Sequence, residues 1–375
     1  MSKIVLIRQK YSAMGGAERF VSRALQALHA HKDLDIHLIT RKWEPLAGIT
    51  AHIINPFYLG NVWRDFSFAY QCRQFWQKNH FDLIQSHERI AGAHVYRAGD
   101  GVHAHWLKLR RASRGIKGAI AQFFNPYHHY VKYAEKAMFT HPELKKVICN
   151  SHMIKKEIQT YFGLPEHKIT VIYNGVDTKT FSPTLKKYRQ EVRASLKINE
   201  QTPLLLYVGS GFERKGVARA LKGLVQNPEV SLLIVGHDKR LNQYRSLAKK
   251  LNVDTRCFFM GKQENILPFL GAADAFILPT LYDPFPNACI EALASGLPVI
   301  TSHTCGASEL ITEGQNGFIA DALQDKTWSN AIGKWLIAHK QNAQQLSEHA
   351  HISVGQLTLE NMSNELVALY QTLLV

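Results

Sequence analysis

Short apolar runs alternate with helix-length segments along the chain, in two successive series. The first reads KIVLIR (3–8), DIHLIT (35–40), AHIIN (51–55), DLIQSH (82–87) and KVICNS (146–151). The second reads PLLLYVG (203–209), SLLIVG (231–236), CFFMG (257–261), AFILPT (275–280) and PVITS (298–302). Strands alternating with helices in this way make βαβ units and a parallel sheet. After the first strand a turn at Met14-Gly15-Gly16 leads into a helix from about Ala17, with Phe20, Val21, Ala24, Leu25 and Leu28 at helical spacing. The expected architecture is therefore α/β, with two doubly wound, Rossmann-like domains over residues 1–178 and 179–355. The turn-rich YNGVDTKTFSP (173–183) is the crossover, and residues 356–375 form a C-terminal helix packing back on the first domain.

Composition agrees with two globular domains. The chain has 375 residues, 46% of them hydrophobic and 20% charged, which suits real cores and excludes a disordered protein. Five scattered cysteines without a CxxC pair argue against zinc and a disulfide framework, and fit a reducing cytoplasm. The N-terminal apolar run IVLI is too short for a signal-peptide core, and no stretch approaches the ~20 apolar residues of a membrane span. A soluble or peripheral protein is expected.

The net charge is +15, and the excess is local. Between Arg97 and Lys156 stand twelve Lys/Arg against three acids, and Gly101 to Ala134 holds no acid. Such a field recruits nucleic acid, a lipid surface or a phosphorylated substrate, unless it is only a solvated face.

Open parallel sheets bind ligands beyond the carboxyl ends of their strands, so the residues that follow each strand carry the most information. In LYDPFPNACIEALASGLPVI (281–300), Asp283 and Glu291 flank a helix opening at Asn287-Ala288. Phe285-Pro286 lead into it, where a missing proline N–H does no harm. Amides at such a helix start, with its dipole, suit a diphosphate. Glu291, farther along the helix, is placed to accept from a ribose diol, and Asp283 from hydroxyls of an attached sugar. An amphipathic helix with an incidental acid at each end reads the same way. In YVGSGFERKGV (207–217), Arg214 and Lys215 follow a strand ending in Gly209, where two cations reach phosphate oxygens. The Gly15-Gly16 turn allows close approach of a phosphate. It is not a full GxGxxG, and the acid of a dinucleotide fold is missing, which argues against NAD. Asp100 sits in a Gly-Asp-Gly turn, with His103 and His105 behind it. No third ligand accompanies the H-x-H pair, and no DxD-type pair appears, so no metal is expected.

In this order, the motifs resemble those of retaining glycosyltransferase family 4, with the GT-B fold, typified by lipopolysaccharide-core glucosyltransferases and sucrose-phosphate synthases. The family pattern is Glu-x7-Glu followed by Ala, two residues, Gly and Pro; here Asp283 replaces the first Glu. Many relatives carry an arginine after the strand glycine, where this chain has Ser210. The resemblance implies a UDP-glucose or UDP-GlcNAc type donor, transfer with retention, and no metal or other cofactor. It assigns catalytic contacts to Asp100, Arg214, Lys215 and Asp283, with Gly16 against the donor phosphate. Backbone contacts to the base fall at Gly261-Lys262, and contacts to the ribose at Glu291.

The basic stretch 103–133 mixes Lys108, Arg110, Arg111, Arg114 and Lys117 with Trp106, Leu107, Phe123 and Phe124. That mix suits an anionic membrane surface or a phosphorylated, lipid-linked glycan. The expected acceptor is a lipopolysaccharide core or comparable lipid-linked saccharide, met on the cytoplasmic face of the inner membrane. Rivals are a nucleotide-sugar epimerase of the same architecture and a transferase with a soluble acceptor. An RNA binder ranks last, since no nucleic-acid module is present.

Overall fold

A computed structural model describes residues 2–9, 34–42 and 49–374, with the side chains of 116–119 and 121 outside the description. The Gly15-Gly16 turn and the helix expected from Ala17 lie outside the described residues. The chain divides into two units, Met1–Gly175 with Leu359–Val375, and Val176–Thr358.

The sheet of the first unit contains β1 (Ser2–Ile7), β2 (Leu34–Thr40), β3 (Thr50–Ile53), β4 (Leu83–Ser86), β5 (Val95–Ala98), β6 (Lys146–Cys149) and β7 (Ile169–Val171). Its order is β3-β2-β1-β4-β5-β6-β7, and neighbouring strands pair in parallel. Successive side chains of a strand point to opposite faces. Along β1, Ile4 and Leu6 join one buried cluster while Val5 and Ile7 join another. Both faces are covered, which is why the strand reads as a continuous apolar run. The helix Leu359–Leu374 covers one face through Met362, Leu366, Val367 and Tyr370. The helix Gly60–Asn79 covers the other through Phe68, Cys72 and Trp76. Tyr370 adds a buried hydrogen bond, donating its hydroxyl to Gln85 Oε1 at 2.6 Å.

In the second unit, β8 (Leu204–Val208), β9 (Ser231–Val235), β10 (Cys257–Gly261), β11 (Ala275–Leu278), β12 (Val299–Ser302) and β13 (Gly317–Ala320) lie in the order β10-β9-β8-β11-β12-β13. All pairs are again parallel. The order reverses between β8 and β11, so the carboxyl ends of those two strands define a switch point. β5, just before the Gly-Asp-Gly turn, and β7 and β13 add to the two series of runs read from sequence.

A buried ionic knot fastens the amino ends of β8 and β11. Arg193, with no exposed side-chain surface, pairs with Asp274 at 2.7 Å and donates to the carbonyls of Ala272, Asn199 and Thr202. Asp274 also accepts from Arg189 at 2.7 Å and from the Leu204 amide at 2.8 Å. Breaking a buried pair strands the remaining charge, at a cost of about 3–5 kcal/mol. Asp274→Ala is therefore expected to lose about that much stability in chemical denaturation, with the loss confined to the unfolding of the second unit.

Candidate donor-binding site

The loop after β8 positions two cations. Gly209 closes the strand, and Gly211, at φ +74°, turns the chain into the single helical turn Phe212–Lys215. Phe212 is buried edge-on to Tyr207 and Tyr244, with ring centroids at 5.7 and 5.3 Å. Its amide donates to Asp238 Oδ2 at 2.8 Å, which caps the turn from the loop after β9. Gly216, at φ +81°, ends the turn so close to β11 that a Cβ would lie 1.8 Å from the Pro279 carbonyl oxygen. Arg214 and Lys215 are thus held on both sides.

The segment after β11 meets them. Arg214 Nη1 donates to the Tyr282 carbonyl at 2.8 Å and to Asp283 Oδ2 at 3.1 Å, and Lys215 Nζ lies 3.8 Å from the same oxygen. The Arg214 carbonyl accepts from the Leu281 amide at 2.8 Å. Asp283 is itself fixed by its neighbours, donating its amide to Thr304 and accepting at its carbonyl from Gly306. One carboxylate therefore sits against two cations at the switch point.

The helix Asn287–Ala294 follows, capped by Pro286. Phe285 is buried, Asn287 and Ala288 are half-buried, and Cys289 to Ala294 belong to the core. Glu291, only 3% exposed, is the acid of that buried run. Gly261 ends β10 at φ +69° and accepts at its carbonyl from the Gly236 amide at 2.8 Å. Gly236 abuts Gly209, where a Cβ would fall 2.0 Å from the Gly209 oxygen. The ends of β8, β9 and β10 thus meet through three glycines, and the side chain of Lys262 beyond them is exposed.

Asp100 belongs to the first unit. Its carboxylate is half exposed and lies 3.7 Å from Arg89, whose other partner is the buried Glu135 at 2.9 Å. Glu135 also accepts from the His103 amide at 2.9 Å, capping the helix His103–Phe123. His103 bonds His128 at 3.1 Å, and burial with nearby cations pushes its pKa down to about 3, so it stands neutral. Among the described residues no group of three or more His, Cys, Asp or Glu could hold a metal.

Three further residues join the site without having been singled out in the sequence. Asp238 and Gly236 were signalled only as an acid and a glycine just past β9. Tyr207 sits inside β8; its hydroxyl is buried, has no hydrogen-bond partner among the described residues, and its pKa is raised by burial.

Two doubly wound parallel units, the second with a cationic strand-end loop clasping a carboxylate, are those of the GT-B fold class. The family model for Glycosyltransferase Family 4 matches residues 14–180, and that for Glycosyl transferases group 1 matches residues 188–353. The chain belongs to the family 4 and group 1 glycosyltransferases and is an enzyme of that type. It is 25% identical over 351 residues to a lipopolysaccharide glucosyltransferase, WaaG, of Escherichia coli K12, covering 87% of each chain. The crystal structure of WaaG superposes with a TM-score of 0.82 at 20% identity, covering 98% of this chain and 99% of that one. Anabaena HepE, solved in complex with UDP-glucose, superposes with a TM-score of 0.73 at 19% identity, covering 99% of this chain and all of that one.

Gly209 lends itself to a test. A Cβ there would lie 2.7 Å from Lys215 Cδ, so Gly209→Ala displaces a flexible side chain and leaves the backbone alone. Its stability should change by less than about 1 kcal/mol, while nucleotide-sugar affinity by calorimetry falls about tenfold. Gly216→Ala, facing a carbonyl, should instead lower the melting temperature.

Proposed function

We propose that this enzyme moves a hexose from a UDP-glucose or UDP-GlcNAc type donor onto a lipopolysaccharide core or comparable lipid-linked saccharide, with retention and without a metal. The observation that carries the donor half is the pairing of Arg214 and Lys215 with Asp283 at the switch point. A nucleoside diphosphate leaving there develops negative charge, which two fixed cations and the amides opening the helix Asn287–Ala294 neutralise. Arg214, 40% exposed, can turn to the diphosphate and release Asp283 to accept from sugar hydroxyls. In this reading Glu291 receives the ribose diol, Gly261-Lys262 border the base, and Asp100 contributes from the first unit. Gly15 and Gly16 remain assigned to the donor phosphate. The acceptor hydroxyl attacks the face that the leaving group vacates, and the departing phosphate takes its proton.

The acceptor half rests on the acid-free basic stretch and on likeness to the lipopolysaccharide glucosyltransferase. In this reading the acceptor is met peripherally, on the cytoplasmic face of the inner membrane; among the described residues no helix is long and apolar enough to cross a membrane.

Thermal stabilisation by a panel of nucleotide sugars, with EDTA throughout, tests the donor half. One UDP-sugar should raise the melting temperature, and Lys215→Ala and Glu291→Ala should each abolish the shift. Stabilisation by none of them would sink the proposal. For the surface, neutralising Arg110, Arg111 and Arg114 together should weaken cosedimentation with anionic vesicles by at least about tenfold, each base contributing ~1 kcal/mol. Unchanged cosedimentation would remove the basic stretch from the account.

A further inference from the structure

The helix Gly60–Asn79 buries one face and leaves the opposite one unpartnered. Phe57, Leu59, Trp63, Phe66 and Tyr70 are each between 56% and 84% exposed. Trp63, Phe66 and Tyr70 fall at i, i+3 and i+7, one stripe along the helix, and the rings of Phe66 and Tyr70 stack at 6.5 Å. Five large exposed apolar groups within fourteen residues, three of them on one helical stripe, are not the scattered singles of an ordinary surface.

The charges around the stripe point to its occupant. From Pro45 to Phe81 the sequence has one acid, Asp65, against Arg64, Arg73 and Lys78. The Asp65 carboxylate is engaged: it accepts from Gln9 at 3.1 Å, Arg64 at 2.7 Å and Tyr127 at 3.0 Å. The Tyr127 bond ties the helix to its neighbour Pro126–Phe139, which exposes Tyr133 and, through Glu135, caps the helix His103–Phe123. That last helix exposes Ile120 and Phe123 on its acid-free stretch, and Phe124 follows it. Within the first unit, exposed aromatic rings therefore accompany stretches of sequence rich in positive charge and poor in acids. Trp and Tyr have an apolar body with a polar edge, which suits the boundary between headgroups and acyl chains.

We propose that the stripe Phe57, Leu59, Trp63, Phe66 and Tyr70 inserts into the interfacial layer of an anionic bilayer. It is a second anchor, apolar in character, beside the basic stretch. The proposal rests on the membrane-surface reading above and deepens it.

The test is cosedimentation with phosphatidylcholine vesicles, with and without phosphatidylglycerol, for wild type, Trp63→Ser/Phe66→Ser and the triple arginine variant. Both substituted side chains of the double variant are exposed, so its melting curve should match wild type. Its partitioning onto mixed vesicles should fall about tenfold or more. Brominated lipid should quench wild-type tryptophan emission, and Trp63→Phe should lose part of that quenching. If the double variant binds like wild type and Trp63→Phe quenches equally, the stripe proposal falls while the basic-surface reading stands. If only the arginine variant binds normally, the charge reading falls and the stripe remains. A wild type that ignores both vesicle types overturns both. Lipid-free self-association abolished by Trp63→Ser/Phe66→Ser would assign the stripe to a second copy of the chain and overturn the proposal.

Discussion

A parallel sheet must be covered on both faces, and that requirement organises each unit. β1 alternates Ile4 and Leu6 against Val5 and Ile7, and two separate layers of helix meet them. Once both faces are occupied, the strand ends are the part of the sheet left for ligands. In the second unit the order reverses between β8 and β11, so the loops leaving those strands separate and expose backbone groups. Gly209, Arg214, Lys215 and Asp283 all follow from this: each stands just beyond one of two adjacent strands.

The two ends of the second sheet carry different polar chemistry. At the amino end, Arg193 and Asp274 are buried and saturated by carbonyls and amides. At the carboxyl end, Arg214 clasps Asp283 while 40% of its side chain faces solvent. A saturated pair holds the structure together; a partly exposed one can exchange partners with a ligand. The same two residue types are therefore saturated at one end of the sheet and available at the other, and burial makes the difference.

Much of the fold was legible from the apolar runs, because doubly covered strands have no polar alternation to hide them. β7 and β13 were not among the runs read as strands. The family was legible because several motifs occurred in order, and the family models now match both halves. The site was legible as residue types but not as contacts. Nothing in the sequence says that Arg214 reaches Asp283, 69 positions away, since that depends on strand order. Asp238 and Tyr207 were invisible for a related reason. One accepts from a backbone amide and the other carries its hydroxyl inside a strand, and neither leaves a pattern.

The first unit is built from two pieces of chain, and its last piece is the helix Leu359–Leu374. Until that helix arrives, Ile4, Leu6, Leu38 and Ile148 have an uncovered face, and Gln85 lacks the Tyr370 hydroxyl. The second unit is one continuous stretch, Val176–Thr358. During synthesis the usual N-to-C order of domain completion is therefore inverted. The half that leaves the ribosome first must wait, with one face of its sheet bare, for Leu359–Leu374 to be translated. A stop codon just before Leu359 would spare the second unit and orphan the first, so a completed first unit reports that translation has passed through the second.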